Sequence, residues 1–285
     1  MPSPPDLSGR FFVVTGANVG IGRSAAEALA ARGASLVLAC RSEEKTRPVL
    51  EALRASGHAG ADVRFEALDL GDFDSVRACA ARIGAQGKPI DVLLNNAGVA
   101  GQRGATKQGF ELHFGTNHLG TFLFTMLLAG RVAAAKGRVV NVASQAHYDA
   151  PGIDFEAVRG STRSITGLPE YAVSKLANVL FSAELARRIA PKGVHSYSLH
   201  PGVVATDAWR RIPWPVRPII KAFMISSEEG AKTSLYCATS PEAAGETGLY
   251  YDTCKPKVPS AVARDEALAR KLWEKSVEIV GADLA

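Results

Sequence analysis

Cysteine is scarce and scattered. The 285 residues hold four, Cys40, Cys79, Cys237 and Cys254, far apart and with no C-x-x-C spacing. That excludes a disulfide framework or a zinc ribbon and predicts reduced thiols in a cytoplasmic protein. Long apolar runs are missing too. No stretch of about 18 apolar residues occurs, so no membrane span is expected. The opening "MPSPPDLSGR" has no apolar core, and no signal peptide is expected. The net charge is +5, but Lys and Arg are dispersed and no basic block alternates with aromatics, which argues against nucleic acid as a partner. The six histidines form no H-E-x-x-H or other tight cluster, so no catalytic metal is expected. Linkers, repeats and low-complexity tracts are absent as well, which predicts one domain over residues 1–285.

What is present is alternation, with 47% hydrophobic residues to fill a core. Strand-like runs fall at Arg10–Gly16, Ser35–Cys40, Val63–Leu70, Val92–Gly98, Gly137–Ser144, Val194–Gly202 and Gly248–Tyr251, with helical stretches between them. The early runs are apolar almost throughout, as in strands covered on both faces. This predicts an α/β Rossmann fold: a doubly wound, mostly parallel seven-stranded sheet with helices on both faces. The segment Ala205–Ile225, with three prolines and two tryptophans, interrupts the pattern and is expected to form a lid over the strand ends.

"TGANVGIG" (Thr15–Gly22) follows the first strand and opens a helix. Gly16, Gly20 and Gly22 allow a tight turn and close approach of a pyrophosphate, with Asn18, Val19 and Ile21 between them. At the end of the second strand an NAD-preferring site places an acid. Here stand Arg41, Ser42 and, one turn on, Lys45, which suit a 2′-phosphate and favour NADP over NAD.

"EYAVSKLANVLF" places Tyr171 and Lys175 at i and i+4, on one helix face. With Ser144 at a strand end and Asn117 in the helical stretch Gly109–Gly130, they suit carbonyl reduction and its reverse. Ser144 orients the carbonyl oxygen, Tyr171 hands over a proton as a hydride arrives, Lys175 holds the nicotinamide ribose and keeps the phenol acidic, and Asn117 fixes a water. Working near neutrality asks for a phenol shift of roughly three units, about 4 kcal/mol. An ammonium about 4 Å away supplies about 4 kcal/mol at an effective dielectric of about 20. Ser144, Gln145, His147, Tyr171, Trp209 and Trp214 are the residues expected to face substrate. His147, His118 and His200 read as local hydrogen-bonding or pocket-wall groups rather than general bases.

Jointly these residues resemble the short-chain dehydrogenase/reductase family over nearly the whole chain. The resemblance rests on the TGxxxGxG turn, Asp69, "NNAG" (Asn95–Gly98), Asn117, Ser144, Tyr171–Lys175 and "PGVVAT" (Pro201–Thr206). It implies that Asp69 and Leu70 contact the adenine and that Asn95, Asn96, Ala97 and Gly98 line the cofactor cleft and brace the sheet. It also implies that Pro201, Gly202, Val203 and Thr206 hold the nicotinamide end. "LACR" and "YAVSKLANVLFSAELARR" are similar to the retinol-dehydrogenase-like branch. Animal members of that branch often carry a membrane-anchoring N-terminal helix with no counterpart here, so no retinoid substrate is implied. Relatives commonly pair through the long helices bearing Asn117 and Tyr171, which implies a homodimer or homotetramer.

The expected activity is NADPH-dependent interconversion of a ketone or aldehyde and an alcohol on a bulky, largely apolar small molecule. A serine hydrolase is disfavoured because "NVASQ" is not G-x-S-x-G. An epimerase or dehydratase of the extended relatives would carry a larger C-terminal domain. A dinucleotide-sensing regulator or scaffold would be expected to have lost Ser, Tyr or Lys. Trp209–Met224, apolar with interspersed cations, has an alternative use as a membrane contact.

Overall fold

The computed structural model describes residues 5–56, 61–202 and 225–281. Its strands are β1 (Phe11–Thr15), β2 (Ser35–Cys40), β3 (Val63–Ala67), β4 (Val92–Asn95), β5 (Arg138–Val142), β6 (His195–His200), β7 (Tyr250–Asp252) and β8 (Lys255–Pro256). They form one sheet in the order β3-β2-β1-β4-β5-β6-β7-β8. The first seven pair in parallel, and β8 runs antiparallel to β7. The described α-helices are α1 (Gly20–Ala30), α2 (Glu43–Ala55), α3 (Phe73–Ala85), α4 (Thr121–Ala134), α5 (Leu168–Ile189), α6 (Ser227–Thr239) and α7 (Glu266–Val280).

Side chains of β1 alternate between two cores. Phe11 and Val13 join a core with Phe122 of α4 and Leu176 and Leu180 of α5. Phe12 and Val14 join the other, with Ala25 and Leu29 of α1. A strand buried on both faces must be apolar throughout, which is why the early runs lack polar alternation. The doubly wound α/β architecture is the expected one.

Two features differ from expectation. The sheet gains an eighth strand through a two-residue hairpin loop at Thr253 and Cys254, both at positive φ (49° and 59°). Such loops are usually marked by Asn or Gly, and here they are not. The helix expected over Gly109–Gly130 is instead a π-helical turn, Phe114–Gly120, followed by α4. A Cβ at Gly120 would lie 2.1 Å from the Leu70 carbonyl oxygen, and one at Gly115 2.3 Å from Thr106. The widened turn thus packs its glycines directly on the loops behind it.

The chain crosses from β3 over β1 to β4, so β1 has β2 on one side and β4 on the other. Connections leaving β1 and β4 diverge there and open a crevice at the carboxyl ends of the strands. Asp69, Leu70, Asn96, Ala97, Gly98 and Ser144, read as strand residues, lie in the turns just past those ends. Val203, Thr206, Trp209, Trp214 and the rest of the expected lid up to residue 224 lie outside the described residues.

Candidate active site

The turn after β1 is fastened to the turn after β4. Thr15 Oγ1 accepts the backbone N–H groups of Asn96 at 3.0 Å and Ala97 at 2.9 Å. Asn96 Nδ2 donates to the Thr15 carbonyl at 2.9 Å. Gly16 and Gly20 take φ of +66° and +57°, open to glycine at little cost. A Cβ at Gly22 would lie 2.3 Å from Asn96 Nδ2 and 2.4 Å from the Gly16 oxygen, so this position admits only hydrogen. Helix α1 then begins with no side-chain cap and no acid in its first turn. Its leading N–H groups and the positive end of its dipole face the crevice without a side-chain partner, a ready anion site. Asn18 and Ile21 are half-buried in this turn, and Val19 is exposed.

Beyond the turn lies a cleft of about 340 Å³ lined by Arg41, Asp69, Val99, Gln102 and Thr116, among others. Arg41 is exposed and has no ion pair among the described residues, while Lys45 is exposed one turn along α2. Ser42 caps α2, its Oγ accepting the Lys45 N–H at 3.3 Å. Asp69 Oδ1 accepts the Gly71 N–H at 2.9 Å. Leu70 is buried against the π turn. The uncapped helix end, the glycine cradle and this cleft fit a dinucleotide, with the pyrophosphate at α1 and the adenosine toward Arg41 and Asp69. Asn95 takes the bracing part of its expected role. It is buried, and its Nδ2 donates to Thr125 Oγ1 and Asn141 Oδ1, both at 2.9 Å, so it braces β4 against β5 and α4. Ala97 is half-buried and Gly98 exposed. A Cβ on Gly98 would lie 3.1 Å from Asn117 Oδ1 and 3.6 Å from Lys175 Nζ.

Ser144, Tyr171, Lys175 and Asn117 converge beside this cleft. Pro169 in the first turn of α5 and Gly167 (φ 68°) at its cap set where the helix begins, which puts Tyr171 and Lys175 in its first two turns. The Ser144 hydroxyl is close enough to the Tyr171 phenol to favour its ionised form. Lys175 Nζ lies 5.6 Å from the centre of the Tyr171 ring and donates to the Val142 carbonyl at 2.7 Å. Asn117 Oδ1 accepts the Val99 N–H at 2.8 Å, and its Nδ2 donates to the Val99 carbonyl and to Ser174 Oγ, both at 2.9 Å. Ser174 Oγ in turn donates to the Tyr171 carbonyl at 2.7 Å. The Asn117 side chain thus joins the β4 turn to α5.

Burial opposes ionisation at this site. Burial pushes the Tyr171 phenol up from its ordinary value, with the Ser144 hydroxyl opposing that rise. Burial also brings the Lys175 ammonium down to about 8. Coulomb attraction at a surface-like dielectric omits this desolvation, which penalises phenolate and ammonium alike. Burial thus favours the protonated phenol as the resting donor.

Several participants carried no sequence signal of their own. Thr15 and Ser174 are described above; both sat inside recognised motifs without an assigned role. Buried Glu111 accepts the His113 and Phe114 N–H groups, the Thr162 hydroxyl at 2.6 Å and the His113 Nδ1–H at 2.9 Å. It thereby caps the π turn and pins the loop before α5. The His113 ring meets Tyr171 edge-on at 6.1 Å. Among residues expected to face substrate, Gln145 is exposed. His147 is fully buried with both ring nitrogens bonded, so it supports the wall from behind rather than touching substrate. Pro201 and Gly202 are half-buried at the end of β6, Gly202 at φ 88°.

The chain is similar to several known proteins. A family model described as short chain dehydrogenase matches residues 10–214. Human retinol dehydrogenase 13 is 39% identical over 292 aligned residues, covering 99% of this chain and 88% of that protein. Mouse retinol dehydrogenase 12 is 40% identical, covering 96% of this chain and 87% of its own length. An uncharacterised protein from Mycobacterium paratuberculosis superposes with a TM-score of 0.81 at 31% identity, over 99% of this chain and 97% of that one. L-sorbose reductase from Gluconobacter frateurii, solved with NADPH and L-sorbose, shares the fold (TM-score 0.70, 20% identity, 86% and 95% coverage). With the family match spanning most of the chain and relatives this similar from end to end, the chain belongs to the short chain dehydrogenase family and is an oxidoreductase using a nicotinamide dinucleotide.

Proposed function

We propose that the protein is an NADP(H)-dependent oxidoreductase interconverting a ketone or aldehyde and an alcohol on a bulky, largely apolar small molecule. The observation that carries this reading is the convergence of Ser144 on the Tyr171 phenol, with Lys175 Nζ 5.6 Å from the centre of the same ring. The bound cofactor supplies the hydride. Ser144 donates to the substrate oxygen and orients it. Tyr171, protonated at neutral pH, passes its proton to that oxygen. Lys175 balances the phenolate that this leaves, and the Asn117–Ser174 bond holds the start of α5 in place. Arg41, exposed at the end of β2 and without an ion pair among the described residues, supports a 2′-phosphate and hence NADP. The names of the similar retinol dehydrogenases support an apolar alcohol or aldehyde as substrate.

The test is absorbance at 340 nm with NADPH or NADH across a panel of lipophilic carbonyls that includes all-trans-retinal. Turnover is expected with NADPH. Tyr171→Phe is expected to lower kcat by at least about 100-fold, the scale of a lost general acid, while NADPH still binds. Retained turnover in that variant would remove Tyr171 from the acid role.

A further inference from the structure

Ser144 is followed by one 3₁₀ turn, Gln145–Asp149, and its hydroxyl is useful only while that turn holds it against Tyr171. The holding contacts come from far along the chain. His147 Nδ1 lies 2.7 Å from the Ser144 carbonyl oxygen. A carbonyl only accepts, so Nδ1 carries the proton, and Nε2 is left as an acceptor. Nε2 takes the backbone N–H of Ser260 at 3.2 Å. The ring is thus bonded at both ends, has no exposed surface, and lies 4.1 Å from the Tyr148 ring and 4.8 Å from the Tyr250 ring, centre to centre.

The surrounding bonds point the same way. The Ser144 carbonyl also accepts the His147 N–H at 3.2 Å, and the Gln145 N–H goes to His200 Nδ1 at 3.2 Å. Tyr148 donates its hydroxyl to the Val258 carbonyl at 2.6 Å, and the Lys257 N–H goes to the Tyr250 carbonyl at 2.8 Å. The segment that follows β8 is therefore clipped along the turn that carries the serine.

We infer that His147 is a positioning residue: a neutral, two-ended clamp through which residues 257–260 fix the backbone of Ser144. Only the kinetic readout rests on the proposed reductase function. The Nδ1 end bears on the serine, so the two conservative variants separate the ends. His147→Asn keeps an amide donor at the place of Nδ1; His147→Gln puts its amide at the place of Nε2.

The experiment compares wild type, His147→Ala, His147→Asn and His147→Gln in NADPH-dependent reduction of all-trans-retinal. Deuterium exchange over residues 145–150 is measured in parallel without substrate. In His147→Ala kcat is expected to fall about tenfold, the scale of one net hydrogen bond, with KM and the NADPH Kd within about twofold. Exchange over residues 145–150 is expected to accelerate. His147→Asn is expected to recover most of kcat and of the protection, and His147→Gln neither. Wild-type kcat in the alanine variant, equal losses in Asn and Gln, or unchanged exchange in all three would overturn the clamp. Absence of retinal turnover in wild type would count against the substrate reading alone, and the exchange comparison of Asn with Gln would still decide the clamp.

Discussion

Burial and charge pull on Lys175 in opposite senses, and the outcome is visible in pH dependence. The ammonium needs its proton to balance the phenolate left by Tyr171, yet burial holds its pKa down at about 8. The kcat/KM for carbonyl reduction is therefore expected to be flat below about pH 7.5 and to fall about tenfold per unit above pH 8. A profile with NADPH checks this. Unfolding is not the cause of that fall, because stability moves the other way. The unfolded lysine titrates near 10.5, so between about 8 and 10.5 the unfolded chain holds the extra proton, and folding gains as pH rises. Arg41 acts at the same scale. Its exchange for an acid sets like charges together at the 2′-phosphate. Arg41→Asp is expected to raise the KM for NADPH roughly 10- to 100-fold, matching about 1.5–3 kcal/mol for a charge-assisted bond, and to leave NADH nearly unaffected. Initial rates with each cofactor measure the ratio.

Two elements place the chemistry, and both depend on backbone passing close to backbone. The β1–α1 turn was legible because its three glycines follow an apolar strand and open a helix. The Tyr171–Lys175 helix was legible because i and i+4 share a face. The π turn that carries Asn117 was not. Its bulge answers to the Leu70 carbonyl behind Gly120, a neighbour remote in sequence. A Cβ at Gly120 would meet that oxygen at 2.1 Å, and backbone cannot step aside as a side chain can. Gly120→Ala is expected to cost about 1–3 kcal/mol, lowering Tm by several degrees, and to reduce kcat by displacing Asn117 from Val99 and Ser174. Thermal melts beside activity assays separate the two effects. The two-residue loop at Thr253 and Cys254 was hidden for a different reason: side chains unusual at positive φ conceal a hairpin until the pairing of Tyr251 with Pro256 is seen.

In the whole molecule, α7 closes one of the two cores. Trp273 packs edge-on against Phe122 of α4 at 5.1 Å and stacks on Phe181 of α5 at 6.1 Å, with the Arg188 guanidinium 4.5 Å from the centre of its ring. Ser276 adds a 2.8 Å hydrogen bond to His118 in the π turn, so the C-terminal helix also braces the site. Trp273→Ala is expected to cost about 3–5 kcal/mol, as for a large aromatic removed from a core, and chemical denaturation would read that loss.

By itself the sequence determined the order of strands and helices, the glycine cradle, the Arg41 position and the Ser, Tyr, Lys set, because periodicity and short spacings are properties of the chain read in line. Only the tertiary structure decided that Asn95 braces the sheet through Thr125 and Asn141, that His147 faces Ser260 and not substrate, that Asn117 is tied to Ser174, and that burial raises the Tyr171 phenol. Each of these depends on groups tens of residues apart being brought into contact and stripped of water, and neither contact nor desolvation is written in the spacing of residues along the chain.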